Sequence, residues 1–451
     1  SFLLMIEPSL HKLLAYVEAE DFNGYDPYDT LNSWVPFHWL GKWGPVLAIQ
    51  LQKRNPINIR PLLGIKKGRN PKAIGLFLRA YSMLYRQDPR PEYLQKMHEL
   101  FDWLKANPSK GYSKYCWGYN FPWASSVKYL EAYVPSAVVT GFVVKGIYEY
   151  YQAIKPNRSN EIIEVMAGAA DFVLHHLDRH EDESGVCISY TPVMKDACYN
   201  ASLLGAEILA RYLAASDEQE QPVMSSRPAQ HPVMPSSPMQ YTVIPSSPAQ
   251  RDVSRHPEST AQSLDTRRPS GSATRDDVRH LIESTVDFVV ARQLHDGRWN
   301  YSIDLESGKE RTQIDFHQGY VIESIDEIMQ LIGLRKPHWE GSIRKGLEYY
   351  RKKQFYNDGR SLWRIPKEWP VEIHNQAQGI ITFSKYPEYM EFAKVIAQWT
   401  FSQMQRKNGS FDYRIYRTHS ISIPYMRWSN AWMAVSGVAV LIDPSMRTSI
   451  W

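Results

Sequence analysis

Residues 71–86 read PKAIGLFLRAYSMLYR. Ile74, Phe77, Leu78, Tyr81 and Leu84 recur at spacings of three and four, which puts them on one face of an α-helix. The run 160–177 repeats the pattern with Ile162, Ile163, Met166, Ala170, Val173 and Leu177. The same reading gives helices at 9–19, 92–106, 136–154, 199–215, 276–293, 319–332, 340–354, 375–385, 388–406 and 428–441. Long alternating runs that would build a sheet are absent, so the fold class is all-α.

The helices come in pairs, and a glycine followed by a short aromatic run closes each pair. Gly111 precedes YSKYCWGY, Gly185 VCISY, Gly297 RWNY, Gly359 RSLW and Gly409 SFDY. Three of these are Asp-Gly or Asn-Gly turns, where glycine supplies the positive φ of a helix exit. A lone helix pair cannot cover its own apolar face, so the units must pack on one another. About six hairpins of this length predict a closed double layer, an (α/α)6 toroid, in preference to an open superhelix. Residues 217–275 stand apart as a Pro/Ser-rich insertion with three tandem ten-residue units, beginning at Pro222, Pro232 and Thr242. Proline at that density and too little apolar surface predict a disordered loop inside one toroid domain spanning 1–451.

The 451 residues are 43% apolar and 22% charged, ordinary globular usage. Aromatic residues at 13% are unusually many, as expected of a protein that lines a groove with rings. A formal charge of +4 is too slight over this length to argue for nucleic acid or an anionic membrane. No run of 18 apolar residues exists, so no membrane span is expected. Cys116, Cys187 and Cys198 form neither a disulfide framework nor a CxxC site, which fits a reducing, cytoplasmic compartment. The first residues lack the basic start of a signal peptide, and a chain opening at Ser1 leaves a trimmed leader open.

The runs GYDPYDTLNS (24–33), PINIRPLLGIKKGRNPK (56–72), YCWGYNFPW (115–123), YNASLLGAEILAR (199–211), DFHQGY (315–320) and IPYMRWSNAWM (423–433) are together specific. They resemble a family of bacterial and archaeal helical-toroid proteins often encoded near surface-polysaccharide genes. The resemblance covers nearly the whole chain outside 217–275. It implies a toroid like those of six-hairpin glycosidases, uronate lyases and terpenoid cyclases. The label of aminolevulinate dehydratase that relatives sometimes carry has no support here. There is no βα alternation for its barrel and no cysteine cluster for its zinc. Terpenoid cyclisation is disfavoured too, because DxDD and DDxxD runs are absent.

The uncommon polar residues fall just before the first helix of each pair. In a toroid those helices are the inner ones, so six distant segments should meet around one mouth. The candidate catalytic residues are His317, His374, Tyr119, Asp315 and Asp29. The candidate substrate-binding residues are Arg60, Lys66, Trp117, Asn120, Tyr190, Asn200, Asn375, Tyr425, Arg427 and Trp428. Each carboxylate and asparagine here also suits a helix N-cap, and each aromatic also suits a core. The two histidines are poorer caps and so the sharper candidates. Tyr, His, Asn and Arg form the mix used to abstract the C5 proton of a uronic acid while its carboxylate is neutralised. The expected activity is therefore modification of an acidic surface polysaccharide, as a lyase or C5-epimerase. The alternatives are a glycoside hydrolase built on Asp29 and Asp315, with Glu372 in reserve, or a glycan-binding subunit among polysaccharide-assembly proteins. No metal and no cofactor are expected.

Overall fold

The computed structural model describes residues 2–125, 129–220 and 273–442. The repeats at 222–251, and all but the ends of the expected insertion, lie outside the described residues. Those ends are helical: residues 217–220 finish one helix and Arg275 begins the next.

Among the described residues thirteen α-helices are present: α1 (Phe2–Ala19), α2 (Trp43–Gln52), α3 (Pro71–Gln87), α4 (Pro91–Ala106), α5 (Ala137–Ile154), α6 (Ser159–His176), α7 (Tyr199–Glu220), α8 (Arg275–Val290), α9 (His317–Ile332), α10 (Pro337–Gln354), α11 (Ile373–Ser384), α12 (Met390–Met404) and α13 (Trp432–Leu441). Helix α2 was not expected from periodicity. The expected helix at 428–441 instead starts as a π-helical turn, Met426–Ala431, that runs into α13.

The helices α3, α5, α7, α9, α11 and α13 contact one another in that order, and α13 returns to α3. The ring is closed. Its outer layer is α4, α6, α8, α10, α12 and α1, so the first helix of the chain is the outer partner of the last. The fold is an (α/α)6 toroid. The inner helices approach closely enough that a Cβ on Gly146 would lie 2.1 Å from the Gly75 carbonyl oxygen, so only glycine fits the α3–α5 crossing.

Two local devices repeat around the ring. Gly185, Gly297, Gly359 and Gly409 all have positive φ. A Cβ on any of them would come within 2.1–2.8 Å of a carbonyl oxygen, on α8, α10, α12 and α1 respectively. The glycine turn of one pair thus seats against the outer helix of the next. A few residues later a backbone N–H donates to a side chain at the start of the following inner helix. Trp117 donates to Thr140, Ile188 to Ser202, Trp299 to Gln318, Ser361 to Gln376 and Phe411 to Asn430, at 2.7–3.0 Å. These bonds satisfy buried backbone donors that no helix or sheet ladder reaches.

The sheet content is small. Antiparallel pairs join β1 (Trp123–Ala124) to β2 (Tyr129–Leu130) and β3 (Arg179–Asp182) to β4 (Gly185–Ile188). Three-stranded ribbons run β5 (Ala197–Cys198), β6 (Ser302–Ile303), β7 (Glu310–Arg311), and β8 (Val371–Glu372), β9 (Arg414–Ile415), β10 (Ser420–Ile421), with β6 and β9 central. Strands β5 and β8 end where α7 and α11 begin, so they fix how the chain enters the inner ring.

Deeper along the inner helices the ring is filled by charge. Glu327 accepts from Lys145 at 2.9 Å, from Lys385 at 2.6 Å and from Arg211, which also holds Glu207 at 2.5 Å. Glu323 accepts from Thr382 at 2.7 Å and from Gln378. This network links α5, α7, α9 and α11. Its charges compensate one another, as buried ions must.

Candidate active site

The candidate side chains lie at or just before the N-termini of the inner helices and in the segments that lead into them. His317 is the first residue of α9, with Asp315 two residues before it. One Asp315 oxygen accepts from the His317 backbone N–H at 3.2 Å and lies 2.5 Å from its ring Nδ1. The other accepts from Gln313 Nε2 at 2.9 Å and faces Arg364 at 3.4 Å. One aspartate thus holds both the backbone and the imidazole of His317, and no hydrogen bond reaches its Nε2 among the described residues. Burial pushes the Asp315 carboxyl up, yet the nearby His317 and Arg364 hold it below the usual carboxylate range. The His317 ring lies edge-on to Tyr301 and Tyr320, with centroids 4.8 and 5.6 Å away.

His374, on the first turn of α11, is buried. Its Nε2 lies 2.6 Å from the Tyr320 hydroxyl and its ring stacks on Phe316 at 3.9 Å. Trp432 and Trp428 cover it at 4.6 and 4.8 Å. Burial, then Lys72 and Arg427, hold His374 well below the ordinary histidine range, so it stays neutral. Trp428 is itself set by its indole N–H, which donates to Glu372 at 3.2 Å.

Lys72, second residue of α3, belongs to the same cluster. Its Nζ lies 4.3 Å from the Phe142 ring, 5.3 Å from Trp432 and 5.8 Å from Tyr320, a cation–π box. It makes no ion pair among the described residues. Burial and the charge of Arg427 hold its ammonium well below the ordinary lysine range, against the pull of Asp26.

The segment after α1 closes the other side of the mouth. Asp26 takes Arg427 through both oxygens, at 2.6 and 2.7 Å. Asp29 takes Arg60 at 2.7 Å, and Arg60 also donates to the Asp26 carbonyl at 2.9 Å. Burial raises Asp29 to about 6 despite Arg60. The Arg60 guanidinium lies over the Tyr425 ring at 4.9 Å. Tyr119 lies 4.8 Å from the Arg427 guanidinium, and its ring stacks on Phe121 with centroids 5.1 Å apart. A small cleft opens here, with Lys66, Asp26, Asn70, Asn120 and Arg427 in its wall. A second small cleft is lined by Tyr119, Tyr190, Trp123 and Glu131. His317 and His374 line neither cleft. Trp428 connects His374 to the first cleft, packing on His374 at 4.8 Å and lying 5.0 Å from the Arg427 guanidinium.

The mouth therefore gathers His317, Asp315, His374, Tyr119, Tyr190, Asp29, Arg60, Lys66, Asn120, Tyr425, Arg427 and Trp428. Other sequence candidates take structural positions. Trp117 is fully buried, and its indole N–H donates to the Leu104 carbonyl. Asn375 accepts from Phe316 N–H at 3.0 Å and donates to the Leu362 and Trp363 carbonyls. Asn200 accepts from the Cys198 thiol at 3.0 Å. Asn120 also has a structural part, accepting at 2.8 Å from Asn70, which caps α3. Lys72, Tyr320, Phe142 and Arg364 were missed by sequence reasoning. The signal for Tyr320 was present, since it ends the DFHQGY run. Lys72 likewise ends the run at 56–72, but its box comes from three other helices and left no mark in the sequence.

With ring and mouth described, comparison with solved structures becomes informative. A sugar epimerase from a ruminal bacterium superposes with a TM-score of 0.56 at 12% identity, covering 84% of this chain and 91% of that one. The cellobiose 2-epimerase of Bacillus thermoamylovorans gives 0.52 at 12%, covering 82% and 87%. The GH76 α-mannanase BT2949 of Bacteroides thetaiotaomicron gives 0.51 at 13%, covering 82% and 86%. These neighbours share the (α/α)6 toroid with this chain. No family model matches the chain, and no curated protein does. At such identity the six-hairpin likeness speaks for the fold, and the side chains of this mouth must carry any argument about chemistry. Among the described residues no three of His, Cys, Asp and Glu converge as a metal site requires. The three cysteines are buried and unpaired.

Proposed function

We propose that the protein is a carbohydrate-active enzyme that removes the proton beside the carboxylate of a uronic acid, as a lyase or C5-epimerase acting on an acidic glycan. The observation that carries this reading is the Asp315–His317 pair, with its Nδ1 side fixed at 2.5 Å and no hydrogen bond on its Nε2 among the described residues. An imidazole held in one orientation by a carboxylate is suited to general-base work near neutral pH. The named neighbours on this scaffold include epimerases, which is compatible with proton-transfer chemistry but does not choose the sugar.

In this scheme His317 Nε2 takes the C5 proton, and the electron pair left behind delocalises into the substrate carboxylate. Lys72, which has no carboxylate partner among the described residues, and the half-exposed Arg364 would offset that charge. Return of a proton to the opposite face gives the C5 epimer. Loss of the C4 oxygen substituent gives the unsaturated sugar instead. Tyr320, hydrogen-bonded to His374, and Tyr119 are the neutral phenols placed to serve as acid.

A second reading, glycoside hydrolysis, is favoured by one observation. Asp29, raised to about 6, is a carboxyl that can give up a proton, while Asp315 stays ionised. Against it, both are engaged, Asp29 by Arg60 and Asp315 by His317. Incubation with a panel of acidic glycans separates the readings. The proposal expects inverted C5 centres or a rise in ultraviolet absorbance from unsaturated ends. New reducing ends alone would mean hydrolysis, and binding without any product would leave a glycan-binding subunit.

A further inference from the structure

Thirteen large apolar side chains are exposed among the described residues, and eight of them lie between residues 34 and 62. Their centre is α2 and the 3₁₀ turn Phe37–Leu40 that packs on it. Trp43, Leu47 and Leu51 stand at i, i+4 and i+8, one stripe of the helix, and are 50%, 58% and 72% exposed. Gly44, Pro45, Ile49 and Gln52 on its other face are buried. Trp39 and Leu40 continue the stripe through the turn, 80% and 75% exposed. A single exposed leucine is ordinary, but five large apolar groups on thirteen consecutive residues form a face that something covers.

Charge selects what covers it. Residues 30–87 contain no Asp or Glu. Residues 42–69 carry Lys42, Lys53, Arg54, Arg60, Lys66, Lys67 and Arg69. Lys42 and Arg54 bracket the α2 stripe at its two ends, and both are exposed, as is Lys66. A second copy meeting this face would set those cations against their duplicates with no carboxylate between them. An anionic lipid surface answers both features: tryptophan and leucine enter the boundary of headgroups and acyl chains while lysine and arginine meet the phosphates. Helix α2 has ten residues and lies on the protein surface, the form of an interfacial element rather than a span.

We propose that the face formed by Trp39, Leu40, Trp43, Leu47 and Leu51 docks this protein on anionic membrane. The same segment reaches the rim of the mouth, since Lys53 donates to Tyr28 at 2.7 Å and Arg60 holds Asp29. Docking would hold the mouth beside the lipid surface, within reach of glycan still attached to lipid. The inference does not depend on the chemistry assigned to His317.

Flotation with vesicles tests it. The full chain should rise with phosphatidylcholine vesicles containing about a third phosphatidylglycerol, and much less with pure phosphatidylcholine or in high salt. Leu47→Asp with Leu51→Asp should weaken this binding roughly tenfold or more without changing the melting temperature. If that pair fails to fold, Lys42→Glu with Arg54→Glu is expected to abolish the preference for anionic lipid. The proposal is overturned if the wild-type chain does not float, or if neither pair of substitutions changes flotation. It is equally overturned if sedimentation shows a dimer that the aspartate pair dissolves, which would give the face to a second copy.

Discussion

Lys72 carries a cost that the fold itself does not need. An ammonium boxed by Phe142, Tyr320 and Trp432, with no ion-pair partner among the described residues, is paid for in stability. Lys72→Met should raise stability by about 1 kcal/mol or more in denaturant unfolding and should abolish turnover, the trade expected of a working group. His374 gives a second expectation. Its folded pKa lies below the ordinary value of 6.5. As pH falls through 6.5 the unfolded chain takes up a proton that the folded chain refuses. Stability should therefore drop toward acid, with a slope approaching about 1.4 kcal/mol per pH unit for this one group. His374→Gln should flatten that part of the pH–stability curve. Sequence reading singled out His317 and His374 because histidine is a poor helix cap. It could not see Lys72 or the fate of Asn375, because a partner's identity depends on which other helix arrives opposite.

The repeated element is an outer helix, a glycine turn, an aromatic run and a stapled entry into the next inner helix. Gln376 shows how much rests on one staple. Its Oε1 accepts from Ser361 N–H at 2.7 Å, and its Nε2 donates to the Gly359 carbonyl and to Thr400 Oγ1. Gln376→Leu strands three buried partners and should cost about 1–3 kcal/mol, read as a lower denaturation midpoint with unchanged slope. The glycine turns were legible because glycine at positive φ leaves a sequence mark. The staples were not, because the acceptor is Thr, Ser, Gln or Asn at different turns. Helix α2 was not legible either: its WGPVLAIQLQ carries an apolar stripe on the exposed side, so periodicity does not report a core. Strands of two residues are too short for alternation to show.

At the scale of the whole molecule, ring closure was legible from the count of helix pairs and from runs along the chain that resemble a helical-toroid family. That count takes the N-terminal helix together with the helix at 428–441 as the sixth pair, and α1 is indeed the outer partner of α13. The described ends of the long connection after α7 lie side by side, where Arg275 meets Asp217 and Glu220. Replacing residues 222–272 by a short Gly/Ser linker should therefore leave the melting temperature and the activity unchanged. The central claim concerns the mouth that the ring assembles: His317, oriented by Asp315, moves a proton at the carbon next to a sugar carboxylate. The direct measurement is deuterium incorporation at C5 of an acidic glycan in D2O, comparing the wild-type chain with His317→Gln and Asp315→Asn. The account predicts that the wild type gives either deuterium at an inverted C5 or a C4–C5 unsaturated end, with a loss of roughly 10²–10⁴-fold in either variant, both still folded. Turnover with neither product, surviving His317→Gln and abolished by Asp29→Asn, would contradict it.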